Sequence, residues 1–295
     1  MVKEEVRALV DSGRSSQRKI AGAIGVSITA LSQYLNGKYP GDNKSIEDSL
    51  SAFLDRVKSD GTQQKILFYP DGIVETQTTR LVRKMALRAE QDGEICVICG
   101  EAGSGKTSGI KAYAYQNGGT ITITANAAYT QRALFSEIAE SVGESPNGTI
   151  LTIVRRIERK LKGVKKTIIV DEAEHLPYKA LDLLRSLQDE CKFGLVMVGT
   201  KKLYYNLKGN QNQYSQLYSR IAAYQETKPM NEKDAENGLS LLGLNKITAV
   251  KCAEEVNGNF RSAAKLAKNA KLLSEINGME IDAACIAKAK SALVI

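Results

Sequence analysis

The chain has 295 residues, which is enough for two or three domains and a large buried core. Its formal net charge is +8 and its pI is about 9.1, and this excess of positive charge favours an anionic partner such as nucleic acid. The sequence has no run of about eighteen apolar residues and no signal-peptide pattern, so we predict a protein of the cytoplasm that makes no contact with a membrane.

Residues 1–60 have the pattern of a small, all-helical domain. Apolar residues at helical spacing predict four helices, at residues 2–10, 16–23, 28–35 and 46–57. Gly25 separates the second helix from the third, and Ser27 is placed to cap the third. Two short helices joined by a tight glycine turn are typical of a helix-turn-helix DNA-binding domain. A small helical bundle used for protein contact is the alternative.

In a helix-turn-helix domain, the helix at residues 28–35 would lie in the major groove of DNA. Its polar side chains would face the base edges, and these are Thr29, Ser32 and Gln33. Three side chains beyond the helix would lie near phosphates, and these are Lys38, Tyr39 and Lys44. The domain carries 9 basic and 8 acidic side chains, and this balance argues against strong DNA binding by the domain alone.

A complete phosphate-binding motif, G-x-x-x-x-G-K-T, runs from Gly100 to Thr107 and follows a predicted buried strand at residues 95–99. Its glycines allow backbone N–H groups to surround an anion, and the helix that follows adds its N-terminal dipole. Lys106 can reach the β- and γ-phosphates, and the Thr107 hydroxyl can ligate Mg²⁺. The motif therefore predicts a site for ATP and Mg²⁺. Its nucleotide contacts would be Gly100, Glu101, Ala102, Gly103, Ser104, Gly105, Lys106, Thr107 and Ser108.

Residues 61–75 form a predicted linker, because polar residues break the periodicity and a Pro-Asp-Gly turn signal follows them. The end of this linker leads into a predicted helix from Thr76 to Glu90. A segment directly before a P-loop strand often packs beside the adenine of the nucleotide. We therefore expect Val74 and Thr76 to contact the bound nucleotide.

A second apolar strand, at residues 167–170, ends in the carboxylates Asp171 and Glu172. This is the pattern of a Walker B motif. Asp171 would hold Mg²⁺ directly or through water, and Glu172 would polarise the water that attacks the γ-phosphate. The sequence therefore predicts an ATPase that converts ATP and water to ADP and phosphate. For His175 we expect a structural role, or a supporting role beside the catalytic residues, and not a catalytic one, and no zinc-binding pattern accompanies it.

Three further residues occupy positions at which P-loop ATPases of the AAA+ class contact the γ-phosphate. Thr200 follows a predicted strand at residues 193–198, where a polar side chain is expected, although a strand cap explains it equally well. Arg220 precedes a further predicted strand, at the position of the arginine finger that reaches a neighbouring subunit. Arg261 opens a C-terminal helix, where AAA+ lids carry a phosphate-sensing arginine. Ordinary surface charge is the alternative for both arginines.

A run of positive charge occupies residues 155–166, with seven basic side chains and one acidic side chain. A solvated helix face is the usual explanation of such a run. Residues 61–228 nevertheless carry 23 basic and 17 acidic side chains, so a surface that follows DNA phosphates is an equal alternative. The candidate DNA contacts are Arg132, Arg155, Arg156, Arg159 and Lys160.

The elements together predict an α/β protein with an AAA+ P-loop NTPase core built on a parallel sheet. An all-α helix-turn-helix domain would precede this core, and an all-α lid of four helices would follow it. The predicted boundaries are residues 1–60 for the helix-turn-helix domain, 61–75 for the linker, 76–228 for the core and 229–295 for the lid.

In this order, the motifs resemble the family of phage Mu B transposition proteins and related target-selection ATPases of transposons. The more specific matches are the Val74-Glu75-Thr76-Gln77-Thr78 lead-in, Asn36-Gly37-Lys38-Tyr39 with Gly41-Asp42-Asn43, and Ser219-Arg220-Ile221. The Walker B segment Asp171-Glu172-Ala173-Glu174-His175-Leu176 is more generic. Thr200 departs from the pattern, because asparagine is more usual there.

The resemblance implies that ATP binds between adjacent subunits, which then assemble as a helical filament on double-stranded DNA with little sequence preference. The filament would present this target DNA to a DDE transposase in a bacterial host cell, activate the transposase, and be removed when the transposase stimulates hydrolysis. Two other classes remain open. One is a helix-turn-helix regulator that uses ATP as a switch, and the other is a replication-initiator or helicase-loader ATPase.

Overall fold

The computed structural model describes residues 2–3, 6–7, 17–24, 26–59, 73–209, 218–278 and 280–291. The chain divides into two units, Met1–Phe68 and Tyr69–Ile295. Gly25 and most of the predicted linker lie outside the described residues. None of the helices that the structure describes is long and apolar enough to cross a membrane.

The first unit is helical throughout its described elements. These are α1 (Gln17–Ala23), α2 (Ile28–Leu35) and α3 (Asn43–Ser59), and the described parts of the predicted first helix, residues 2–3 and 6–7, are also helical. The Ser27 hydroxyl accepts a hydrogen bond from the Ala30 N–H at 3.1 Å, which fixes the start of α2 as expected. The helix α3 begins three residues earlier than predicted, because Asp42 accepts the N–H groups of Lys44 and Ser45.

One parallel sheet organises the second unit. Its described strands are β1 (Ile95–Cys99), β2 (Ile121–Thr124), β3 (Thr167–Asp171), β4 (Gly194–Gly199) and β5 (Ile221–Glu226), in the order β2-β3-β4-β1-β5. The strands β1, β3 and β4 are buried along their whole length, which explains their unbroken apolar sequences. Because all strands run the same way, the carboxyl ends of β1, β3 and β4 meet at one edge of the sheet.

Helices cover both faces of the sheet. They are α4 (Gln77–Asp92), α5 (Lys106–Gln116), α6 (Gln131–Ser141), α7 (Ile150–Leu161), α8 (Tyr178–Cys191) and α9 (Lys201–Lys208). One apolar layer joins α4 and α5 to the sheet through Val82, Ile110 and Tyr113. The other layer joins α6 to α9 to the opposite face. The helix α4 approaches β4 so closely that a Cβ at Gly194 would overlap the Ala89 backbone.

The C-terminal part of the second unit is a helical lid. It contains α10 (Glu232–Leu239), a 3₁₀ turn (Ser240–Leu242), α11 (Lys246–Glu254), α12 (Phe260–Asn277) and α13 (Ala283–Ser291). Its core consists mainly of alanine, leucine and cysteine side chains. The buried Asp234 carboxylate accepts the Gln77 N–H at 3.0 Å, and the Asn237 amide donates to the Glu75 carbonyl at 3.3 Å. These bonds join the lid to the segment that leads into α4.

Candidate nucleotide-binding site

The P-loop connects β1 to α5 through a backbone that requires glycine. Gly103 and Gly105 have φ angles of +84° and +87°, in the left-handed region that L side chains rarely adopt. A Cβ at Gly100 would overlap the Thr227 side chain. The first N–H groups of a helix have no partner within the helix, so the start of α5 offers donors for an anion.

Lys106 lies inside this loop with only 9% of its surface exposed. Its Nζ donates hydrogen bonds of 2.8 Å to the carbonyl groups of Gly100 and Glu101. Burial lowers the pKa of Lys106, and the negative charges of Asp171 and then Glu174 oppose this shift. A buried ammonium group held by neutral carbonyls is well placed to turn towards the phosphates of a nucleotide.

The two predicted magnesium ligands lie side by side. The Thr107 hydroxyl on α5 donates a hydrogen bond of 2.6 Å to Asp171 Oδ2 at the end of β3. Asp171 is 4% exposed, and its other oxygen accepts the Glu172 N–H at 3.0 Å. A hydroxyl and a carboxylate in contact are hard oxygen donors of the kind that Mg²⁺ prefers, so this pair fits the ion.

Glu172 is the predicted catalytic carboxylate, and it adopts an unusual backbone conformation. Its φ is +54°, which is costly for a residue with a side chain. The carboxylate is 52% exposed, and its Oε2 lies 3.5 Å from His175 Nε2. His175 therefore contacts the predicted catalytic group.

Thr200 lies directly before α9, at the N-cap position, but its side chain makes no capping hydrogen bond to that helix. Its N–H donates instead to Glu174 Oε1 at 3.0 Å. Glu174 is not among the site residues predicted from the sequence. The sequence gives little indication of its role, because the Thr200 N–H that Glu174 binds lies 26 positions further along the chain.

A cavity of about 380 Å³ brings these groups together with the lead-in segment and the lid. Val74 and Thr76 line it, and the Thr76 hydroxyl caps α4 by accepting the Thr79 N–H at 3.1 Å. Apolar lid residues that the sequence analysis did not select complete this end of the cavity, namely Leu239, Leu241, Phe260 and Ala264. In the sequence, nothing distinguishes them from residues of the lid core.

The first turn of α12 rests on the P-loop. The Asn259 amide donates to the Ala102 carbonyl at 2.7 Å, and the Arg261 N–H lies 3.4 Å from the Gly103 carbonyl. A Cβ at Gly103 would overlap the Asn259 side chain. Arg261 lines the cavity, where its guanidinium group can contact a phosphate.

Arg220 lies outside the cavity. Its side chain is 59% exposed, and its Nε is 3.8 Å from Asp189 Oδ2. Asp189 makes a shorter contact of 2.7 Å with Arg185. The weak and exposed pair leaves Arg220 accessible to a second molecule, as an arginine finger must be.

The predicted DNA contacts of the second unit fall into two groups. Arg132 and Arg156 donate to backbone carbonyls of residues 145–148, the loop between α6 and α7. Arg155 and Arg159 are exposed and line a shallow cleft on α7. Lys160 is exposed and lies 3.8 Å from Glu144. Arg132 and Arg156 therefore stabilise the loop between α6 and α7, in addition to contributing positive charge.

In the first unit, the candidate DNA contacts lie on or beside α2. Thr29, Gln33 and Lys38 are exposed, whereas Ser32 is half-buried. Lys44 is exposed in the first turn of α3, and Tyr39 packs against the apolar core of the unit. The exposed polar side chains of α2 can therefore reach a partner, whereas Tyr39 has a structural contact.

Comparisons with known proteins show the class of fold to which the chain belongs. Residues 88–207 match the protein family described as AAA domain. The Aeropyrum pernix ORC2 protein has a similar structure, with a TM-score of 0.54, 16% identity, and coverage of 76% of this chain and 70% of that chain. The Thermotoga maritima RuvB branch migration motor has a TM-score of 0.51 at 15% identity, with coverage of 75% and 70%. The predicted fold class is confirmed, and fold and site define an AAA+ ATPase.

Similar sequences identify the family. The DNA transposition protein B of the Mu-like prophage FluMu in Haemophilus influenzae is 32% identical over 235 residues, which are 78% of this chain and 80% of that protein. The ATP-dependent target DNA activator B of Escherichia phage Mu is 31% identical over 227 residues, with coverage of 75% and 71%. That of phage D108 is 29% identical over 269 residues, with coverage of 88% and 84%. The chain belongs to this family of transposition B proteins.

Proposed function

We propose that this protein is an ATP-dependent, largely non-sequence-specific DNA-binding ATPase that oligomerises on target DNA. It then delivers the DNA to a DDE transposase and activates that enzyme. The observation that carries the proposal is that P-loop, Walker B and lid residues line one and the same cavity. Relatives of this chain are named ATP-dependent target DNA activators, which supports the same proposal. The site of action is the cytoplasm of a bacterial host, since these relatives come from phages and a prophage.

In the proposed reaction, Lys106 and the P-loop N–H groups of residues 100–108 bind the phosphates of ATP. Thr107 and Asp171 would hold Mg²⁺, and the ion would supply positive charge to the phosphate oxygens. Glu172 accepts a hydrogen bond from the attacking water and orients it towards the γ-phosphate. The Thr200 hydroxyl contacts the γ-phosphate or the attacking water. Val74 and Thr76 contact the nucleotide beside the apolar residues of the lid.

The lid couples the nucleotide to assembly in this proposal. Asn259 and Arg261 lie on the P-loop, so a γ-phosphate that attracts Arg261 favours one position of the lid. Arg220 of one subunit then reaches the nucleotide of the next and links hydrolysis to oligomerisation. ATP thereby favours the filament, and hydrolysis releases it.

The DNA surface proposed for the filament includes the exposed face of α7. Arg155 and Arg159 are one helical turn apart and face the same cleft, a spacing that suits successive phosphates. Lys160, Arg132 and Arg156 add positive charge beside them. In the first unit, Thr29, Ser32, Gln33 and Lys38 provide a second contact.

The experiment that tests this proposal is fluorescence anisotropy on a long duplex of mixed sequence. Binding is measured with ATP, with ADP and without nucleotide, at two salt concentrations. We expect cooperative binding with ATP only, and weaker binding at higher salt because released counterions drive the association. Lys106→Ala should abolish the ATP effect, whereas Lys111→Ala, an exposed lysine on the same helix, should preserve it. Unchanged DNA affinity of Lys106→Ala would count against the proposal.

The exposed polar residues of α2 keep a second candidate open, a helix-turn-helix regulator with ATP as its switch. This candidate predicts binding to one particular duplex, with or without cooperativity. In that case Gln33→Ala in the full-length chain should reduce discrimination between duplexes, because a base contact is lost. Equal affinity for unrelated duplexes would exclude it.

A further inference from the structure

Glu174 is a buried carboxylate that the proposed reaction does not use. It is 7% exposed and lines the nucleotide cavity together with Lys106 and Thr200. Its Oε1 accepts the Thr200 N–H at 3.0 Å, whereas its Oε2 has no hydrogen-bond partner among the described residues. A buried carboxylate with an unpaired oxygen costs stability, so its presence in the cavity needs an explanation.

The local geometry places this carboxylate against the end of β4. The 3₁₀ turn Ala173–His175 follows Glu172 and brings Glu174 next to Gly199, where a Cβ would overlap Oε2. The Asn206 amide on α9 donates to the Glu174 carbonyl at 3.0 Å and holds the turn from the other side. Glu174 therefore connects the Walker B turn to the backbone of Thr200.

We propose that Glu174 is a positioning residue that fixes the Thr200 backbone so that the Thr200 hydroxyl faces the γ-phosphate end of the cavity. This inference rests on the role proposed for Thr200 in ATP hydrolysis. Threonine has a short side chain, so its hydroxyl reaches the reacting atoms only if its backbone is held in place. Loss of the bond to Glu174 should slow hydrolysis and leave ATP binding almost unchanged.

Two conservative variants separate the reach of the side chain from its charge. Glu174→Gln keeps the length and the acceptor for the Thr200 N–H but removes the charge. Glu174→Asp keeps the charge but is one methylene shorter and loses the contact. We expect Glu174→Asp to lower kcat by about 10-fold or more, with less than about a threefold change in ATP affinity, since misplacement of a reacting group acts on the rate. Glu174→Gln should stay within about threefold of the wild type.

The measurements are phosphate release at saturating ATP and binding of a fluorescent ATP analogue, both without DNA and without transposase. They remain informative if ATP-dependent assembly on DNA fails. In a Thr200→Ala background, Glu174→Asp should cause little further loss of rate, because a residue that acts through Thr200 is coupled to it. Asn206→Ala loosens the same turn without touching the Thr200 N–H, and it should leave kcat within about threefold of the wild type.

Three results would overturn the inference. One is a Glu174→Asp variant with normal kcat or with a loss confined to ATP affinity. Another is a Glu174→Gln variant as slow as Glu174→Asp, which would show that charge matters instead of reach. The third is an Asn206→Ala variant with the same defect, which would indicate that Glu174 only stabilises the turn.

Discussion

The two sides of the nucleotide cavity are built in different ways. The sheet side consists of the P-loop, Asp171, Glu172 and Thr200, all attached to the carboxyl ends of buried strands. The lid side consists of Leu239, Leu241, Phe260, Arg261 and Ala264, which belong to a helical region whose core is formed mainly by small side chains. Few polar bonds are described between the lid and its neighbours, and Asp234, Asn237, Asn259 and the Arg261 N–H provide them.

We infer from this difference that the two sides have different functions. Groups on a buried parallel sheet keep their relative positions, which suits bond-breaking chemistry. A lid held by a few hydrogen bonds can change its position at a small cost in free energy, which suits the detection of a ligand. We therefore expect variants of the sheet side to change the rate of hydrolysis, and variants of the lid side to change nucleotide affinity and assembly.

The largest effect is expected from Arg220, which belongs to neither side of its own cavity. Arg220→Ala should lower the rate of ATP hydrolysis on DNA by about 10³-fold, because a finger guanidinium stabilises the charge of phosphoryl transfer. Phosphate release measures the rate. Mixing Arg220→Ala with Glu172→Gln should restore part of it, since each Glu172→Gln subunit still supplies its Arg220 to a neighbour. If the mixture is as inactive as its components, Arg220 does not act between subunits.

A smaller but clear effect is expected on the sheet side. Glu172→Gln should lower the rate of hydrolysis by about 10²-fold or more, because the amide is a poor base for the attacking water. ATP-dependent DNA binding should persist and last longer, since the filament is no longer released. Anisotropy and phosphate release measure the two properties. Glu140→Gln, an exposed carboxylate on α6, should change neither.

The same contrast explains what the sequence could predict. The P-loop and Walker B motifs could be recognised from the sequence because few other structures explain their residue patterns. Two of the P-loop glycines adopt a left-handed backbone, and the Walker B carboxylates lie at the end of a strand. Phe260 and Leu241 look like ordinary core residues in the sequence, and only the packing of the lid brings them to the cavity. Glu174 was missed because its partner is the backbone N–H of Thr200, which follows another strand of the sheet and is distant in the sequence. The start of α3 was wrong because the Asp42 cap was not recognised.

On the lid side, Asn259 tests whether the contact with the P-loop contributes to nucleotide binding. Asn259→Ala removes the bond to Ala102 and also the cap of α12, where Asn259 accepts the Ser262 N–H. Asn245→Ala removes only the equivalent cap of α11. Both should cost about 1 kcal/mol of stability in thermal unfolding. Only Asn259→Ala should also weaken ATP binding, by about three- to tenfold, because a hydrogen bond to the P-loop is lost.

Equal nucleotide affinities of the Asn259→Ala and Asn245→Ala variants would mean that the contact between the lid and the P-loop does not contribute to ATP binding. The comparison is informative because the two substitutions are chemically identical and occur at the first turns of neighbouring lid helices.

The smallest effect per residue is expected on α6 and α7, where two pairs of arginines can be compared. Arg155 and Arg159 are exposed, whereas Arg132 and Arg156 brace the loop between α6 and α7. The salt dependence of DNA binding is the slope of log K against the logarithm of the salt concentration. Replacing Arg155 and Arg159 with alanine should make this slope shallower by about 2, since two phosphate contacts are lost. Thermal stability should change little, because the two side chains are exposed.

Replacing Arg132 and Arg156 with alanine should instead lower the unfolding temperature, since hydrogen bonds to backbone carbonyls are lost. If their removal reduces the salt slope as much as removal of Arg155 and Arg159, then the bracing arginines also contact phosphates, and the DNA surface extends from α7 over the preceding loop. If neither pair changes the slope, the positive side chains of α7 form a solvent-exposed helix face without a DNA partner. The DNA contact then lies elsewhere in the chain.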